Sequence, residues 1–85
     1  MHEMGVALEI ARIAEQKVGA LASKLTRIAV VVGDDAGVEP SSLSFCLEAL
    51  LAQAPFAGAV AEIIRGTGDE LRVDYLEVDD GCPSY

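Results

Sequence analysis

The residues of this sequence best suited to chemistry stand at its start, Met1-His2-Glu3. His2 is the only histidine in 85 residues. It lies one peptide bond from the α-amine of Met1, which we expect to be retained because a large side chain follows. The imidazole, the amine and the nearby amide nitrogens lie within reach of one metal ion, and Cu(II) and Ni(II) prefer flat, nitrogen-rich coordination. The stretch therefore suggests a metal site, although most terminal histidines are disordered surface residues, and this alternative stays open.

Other reactive arrangements are missing from the sequence. It has no G-x-G-x-x-G or P-loop motif, no H-E-x-x-H and no second histidine. Cys46 and Cys82 form no C-x-x-C pattern, so neither a zinc site nor a disulfide is indicated; Cys46 is expected in the core and Cys82 in an exposed tail. The adjacent acidic pairs are expected to point into solvent: Asp34-Asp35, Asp69-Glu70 and Asp79-Asp80. We therefore expect a protein that is not an enzyme.

Composition limits the class of partner. The 85 residues suffice for one domain, residues 1–85, and carry a net charge of -8 at pH 7. This charge argues against nucleic acid and against an anionic membrane, since either would repel the surface, and favours a cation or a basic protein. The sequence has neither an apolar run of membrane-spanning length nor a signal peptide pattern, so a cytoplasmic location is expected.

Hydrophobic periodicity predicts five elements. Apolar residues at helical spacing indicate an amphipathic first helix, and a β-branched run indicates a strand that is central in a sheet or covered on both faces. Pro40 opens the second helix, with Glu39 or Ser41 as its cap. The last strand changes apolar phase between Tyr75 and Leu76, as a bulge would cause. The predicted elements are a helix at 3–22, a strand at 25–32, a helix at 39–53, strands at 59–65 and 71–78, and a loose acidic tail at 79–85.

The order helix, strand, helix, strand, strand predicts an α+β fold. A strand–helix–strand crossover within one sheet is expected to be right-handed and its strands parallel. The short connection at residues 66–70 predicts that the last two strands form an antiparallel pair. We therefore expect a three-stranded mixed sheet with both helices packed on one face.

Several segments, in order along the chain, form a recognisable pattern. The pattern begins with Met1-His2-Glu3-Met4 ahead of a long helix and continues with Val32-Gly33, residues 37–46, residues 55–59 and residues 68–78. These segments cover nearly the whole chain and resemble the HypA/HybF family of nickel metallochaperones, which supply nickel during maturation of nickel-iron hydrogenase and sometimes urease.

The resemblance implies that His2 and Glu3 carry a nickel site, with the imidazole and backbone nitrogens as ligands. The Met1 amine is expected to complete fused chelate rings with the His2 amide and imidazole. The family's acidic position after the loop falls on Glu39, which is expected to assist the site or a partner contact. Because amides lose protons when they bind in this way, nickel affinity is expected to rise with pH.

One departure from the family is large. Family members carry a zinc module with two C-x-x-C pairs between the last two strands, and here that interval is only residues 65–69. We therefore expect a nickel-binding domain without structural zinc, whose partner is a maturation GTPase (HypB-like) or a hydrogenase large-subunit precursor. The alternative is a zinc-less scaffold or regulator that docks such a partner without delivering nickel.

Overall fold

A computed structural model of the chain describes residues 2–79. The order helix, strand, helix, strand, strand is confirmed, with a short 3₁₀ segment after the first helix. The elements are α1 at Glu3–Val18, the 3₁₀ helix at Gly19–Lys24, β1 at Leu25–Gly33, α2 at Pro40–Leu51, β2 at Val60–Gly66 and β3 at Leu71–Val78. The predicted tail at 79–85 and Cys82 lie, except for Asp79, outside the described residues.

The first helix ends four residues earlier than predicted. At Gly19 the backbone takes a φ of 55°, a conformation that favours glycine, and its N–H donates to Glu15 O at the end of α1. The apolar spacing continues to residue 22 because the following 3₁₀ helix still buries Ala22. Periodicity alone therefore did not reveal the change in helix type.

The sheet is mixed, as predicted, but the last two strands are not neighbours. Its order is β2-β1-β3, with β2 parallel and β3 antiparallel to the central β1. The prediction of a β2–β3 antiparallel pair is therefore wrong. β1 is the most continuously apolar strand, and the central position of the sheet buries it best. The four residues between β2 and β3 are enough for the chain to cross over the end of β1.

That crossing, the β2–β3 turn at residues 67–70, is held by two backbone hydrogen bonds. The N–H of Gly33 donates to Glu70 O at 2.7 Å, and the N–H of Asp35 donates to Gly68 O at 2.7 Å. The turn lies so close to β1 that a Cβ on Gly33 would stand 2.3 Å from Gly68 O. The predicted short turn is present, and it closes over the end of β1.

The predicted bulge lies one residue from its expected place. Ala29 pairs with Tyr75 while Val30 pairs with Val73, so Asp74 is the extra residue on β3. The change of apolar phase in the sequence thus corresponds to a bulge in β3.

Both helices pack on one face of the sheet. The core joins the alternate β1 residues Ile28, Val30 and Val32 to the buried leucines of α2 and to small alanines of α1. Alanine lets the two helices approach closely, and each fully buried leucine contributes about 1.5–3 kcal/mol of transfer free energy. Cys46, which is expected in the core, is only partly buried and packs against its border. Within residues 2–79, no helix is both long and apolar enough to cross a bilayer.

Candidate functional site

His2 immediately precedes α1 and is exposed to solvent. Its carbonyl accepts a hydrogen bond of 3.0 Å from the N–H of Val6, which makes His2 the N-cap residue of the helix. The imidazole makes no capping hydrogen bond. The histidine is therefore held by its backbone at the start of a packed helix, and the residue is exposed to solvent.

Glu3 connects the two helices. Its Oε2 accepts a hydrogen bond of 2.9 Å from the backbone N–H of Glu39, the residue that precedes α2. This bond is the main reason that the pKa of Glu3 is lowered, and the backbone N–H of Glu3 itself also contributes. The carboxylate is thus ionised at neutral pH and fixes the start of α1 against the start of α2.

The carboxylate of Glu39 caps the N-terminus of α2. Its Oε1 accepts from the N–H of Ser42 at 2.7 Å, and its Oε2 accepts from Ser41 Oγ at 3.2 Å. The Ser42 N–H is the main reason that the pKa of Glu39 is lowered. Of the two caps considered from the sequence, Glu39 is the one used.

The structure therefore brings Glu3 and Glu39 together, although 36 positions separate them. The sequence pointed to each residue singly: Glu3 as part of the Met1-His2-Glu3 stretch and Glu39 as a candidate cap of α2. It carried no signal for their contact, because the contact depends on how the two helices pack. We name this pair, with His2, the terminal cluster.

In the described part of the chain, the side chains of the terminal cluster form no metal site by themselves. Within residues 2–79, no group of three or more His, Cys, Asp or Glu side chains converges in a way that could hold an ion. An exposed imidazole beside backbone amides is, however, the donor type that suits planar nickel or copper coordination. The Met1 amine, the remaining predicted donor, lies outside the described residues.

The other acidic pairs behave as surface groups. Asp34 lies 3.5 Å from the Arg65 guanidinium in an exposed ion pair, which contributes little to stability. Glu70 Oε1 accepts a 2.9 Å hydrogen bond from the N–H of Thr67, within the β2–β3 turn. The Glu70 side chain therefore stabilises the β2–β3 turn.

Fold and terminus together define a class: a small acidic α+β domain with an accessible, nitrogen-rich start to its first helix. The family described as "Hydrogenase/urease nickel incorporation, metallochaperone, hypA" matches residues 1–69. The chain belongs to this HypA family.

Similar proteins include several called hydrogenase maturation factor HypA. The protein from Paracoccus denitrificans is 34% identical over 98% of this chain and 80% of its own length. The protein from a Geobacter species is 34% identical over 80% of this chain and 62% of its own length. The Chlorobium limicola protein is 40% identical over 74% of this chain and 55% of its own length. The latter two alignments span less than two thirds of those relatives.

Proposed function

We propose that this chain is a nickel carrier of hydrogenase maturation, which binds Ni(II) through Met1, His2 and Glu3. The ligands would be the His2 imidazole, backbone amide nitrogens and the Met1 terminal amine. The single observation that carries the proposal is the placement of an exposed His2 at the start of a helix that Glu3 fixes to Glu39. A binding stretch supported in this way loses less conformational freedom when a metal orders it than a free terminus would.

In this proposal Glu3 has two separable roles, the second of which is suggested by its contact with Glu39. Its amide nitrogen is a metal ligand in the proposal, whereas its carboxylate positions the stretch and adds negative charge beside it. Metal binding at an amide nitrogen releases the amide proton, so nickel affinity is expected to rise between neutral and mildly alkaline pH.

The negative charge of the chain supports a basic partner for delivery. We propose a maturation GTPase or a hydrogenase large-subunit precursor as that partner, in the cytoplasm. Glu39 has its carboxylate engaged with Ser41 and Ser42, so its expected contribution is to the shape of the site rather than to coordination. The alternative is a scaffold that docks such a partner without delivering nickel.

Nickel titration of untagged protein tests the site. Wild type is expected to bind one Ni(II) per chain, more tightly at mildly alkaline pH. Binding is expected to be lost in His2→Ala and in a form extended at its N-terminus, which removes the Met1 amine as a ligand. Equal binding by all three proteins would refute the terminal site.

Glu3 variants separate its two roles. Glu3→Gln keeps an oxygen that can accept from the Glu39 N–H, so it is expected to retain nickel binding. Glu3→Ala removes that acceptor and is expected to weaken binding. If Glu3→Gln folds as wild type and fails to bind nickel, the carboxylate is itself a ligand and the positioning role is wrong. Glu9→Gln, on the exposed face of α1, is the matched control.

Delivery needs a separate measurement. Nickel-loaded protein is mixed with a purified maturation GTPase or hydrogenase precursor, and the metal on each protein is counted after separation. Transfer supports the carrier, whereas stable docking with retained nickel supports the scaffold. Elemental analysis completes the test, since one tightly bound zinc per chain would contradict the expected lack of structural zinc.

A further inference from the structure

The two edges of the sheet differ in how they are protected. At the β2 edge, the side chain of Glu48 accepts a 2.9 Å hydrogen bond from the N–H of Ala61, so that α2 covers an edge donor. At the β3 edge, six of the eight residues of the strand are exposed, Leu71 and Val78 among them, whereas only two of the seven residues of β2 are exposed. Beside β3 lies a groove of about 550 Å³ that extends to Ile13 and Lys17 of α1. The outer edge of β3 is therefore the more accessible edge of the sheet.

The hydrogen bonds at both ends of β3 identify its outward-facing groups. The Gly33 N–H donates to Glu70 O at 2.7 Å, and the Asp79 N–H donates to Lys24 O at 2.8 Å, so Glu70 and Asp79 face β1. In an antiparallel ladder, alternate residues face the neighbouring strand. Counting inward from each end, and placing the bulge at Asp74, leaves four residues whose N–H and C=O face outward: Leu71, Val73, Leu76 and Val78.

All four outward-facing residues are apolar, and the bulge makes their spacing symmetrical. Rotation by a half-turn about the midpoint of Asp74 and Tyr75 exchanges Leu71 with Val78 and Val73 with Leu76. A second copy of β3, placed antiparallel along this edge, would thus meet hydrogen-bonding groups at matching positions. Its apolar side chains would extend the same face of the sheet, next to the groove beside α1.

The opposite face of the strand adds charge complementarity. The same half-turn places Arg72 opposite Glu77 of the second copy, and each two-fold dimer contains this pair twice. Within one chain, Arg72 lies 2.8 Å from Asp74 and Glu77 lies 3.1 Å from Arg27, so both side chains are already directed along this face. Opposite charges in facing positions stabilise a pair of strands and fix its register.

We propose that the outer edge of β3 binds β3 of a second copy of this chain. The product is a two-fold dimer with one continuous six-stranded sheet, in which Arg72 faces Glu77 across the interface. Its formation involves neither His2 nor Glu3, so it proceeds without metal. Loss of nickel binding and loss of self-association are therefore separate outcomes.

Sedimentation over a range of protein concentration, with a chelator present, measures the dimer directly. Arg72→Glu and Glu77→Arg each place like charges in both facing pairs and are expected to weaken the dimer at least about tenfold. The double exchange restores opposite charges and is expected to recover most of the affinity. Arg65→Glu makes the same charge change on β2 and is the matched control, expected to dimerise as wild type. A wild type that stays monomeric, or a double exchange no tighter than the single variants, would overturn the proposal.

Amide hydrogen exchange gives a readout that needs no substitution. The outward N–H groups of Val73 and Leu76 are expected to become protected as concentration rises, whereas that of Arg72, which faces β1, is protected throughout. Self-association that leaves the Val73 and Leu76 amides unprotected would place the interface elsewhere and refute the β3 edge.

Discussion

Replacing Gly33 by alanine tests the closure of the β2–β3 turn over β1. Gly33 does not have a positive φ, so its backbone accepts alanine and the whole effect comes from contact. The added Cβ would lie 2.3 Å from Gly68 O, 2.7 Å from Thr67 O and 2.8 Å from Glu70 N, all of them backbone atoms. No side-chain rotation relieves these contacts, so the turn itself must move.

The expected cost follows from that movement. Overpacking of a fitted site costs about 1–3 kcal/mol. A displaced turn also weakens the two 2.7 Å hydrogen bonds from Gly33 and Asp35, each worth about 1 kcal/mol. Movement of the turn relieves the overpacking but weakens these hydrogen bonds, so the two costs do not add in full. We therefore expect the free energy of unfolding to fall by about 2–3 kcal/mol. In a domain of this size that lowers the melting temperature by about 10–20 °C.

Two other glycines provide graded controls. At Gly66 an added Cβ would meet Glu70 Oε1 and Val31 Cγ1, both at 2.6 Å, which are side-chain atoms, so Gly66→Ala is expected to cost less than Gly33→Ala. At Gly5 the nearest atom is 4.0 Å away, and alanine is expected to stabilise α1 by about 0.5–1 kcal/mol. Chemical denaturation followed by circular dichroism measures all three. If Gly33→Ala unfolds within about 0.5 kcal/mol of wild type, the turn does not lie against β1 as described.

Three further predictions concern the core, the β2 edge and the open face of the sheet. Leu47→Ala removes a fully buried side chain and is expected to lower the free energy of unfolding by about 2–5 kcal/mol; a loss below 1 kcal/mol would contradict its place in the core. Glu48→Ala leaves an edge N–H of β2 without its acceptor and is expected to cost about 1 kcal/mol in the same assay, with Glu48→Gln closer to wild type. The Tyr75 hydroxyl donates a 2.6 Å hydrogen bond to Glu62, and this bond is the main reason that the pKa of Tyr75 is raised above 10.0. Glu62→Gln is therefore expected to lower the pKa of Tyr75, as measured by tyrosinate absorbance in a Tyr85→Phe background. Because the pKa is raised on folding, this contribution to stability is present below pH 10.0 and is lost as pH rises through the folded pKa, and a pKa unmoved by Glu62→Gln would refute the hydrogen bond.

Most elements of the fold could be predicted because their signals are local. The apolar run of β1 indicated a central strand, and the phase change in β3 indicated a bulge that the structure places at Asp74. The pairing of β2 with β3 was wrong because connection length limits how far two strands can separate, but does not exclude a third strand between them. The change of helix type at Gly19 was missed because hydrophobic spacing is similar on both sides of it.

The sequence by itself determined the chemistry available to this protein. A single histidine at position 2 and a net negative charge follow from residue identity and position, and they limit the metal and the partner that we propose before any folding is considered. Only the tertiary structure decided how Glu3 and Glu39 are used and which edge of the sheet stays accessible. Both depend on residues far apart in the chain, whose contacts arise when the helices and the sheet pack as one unit.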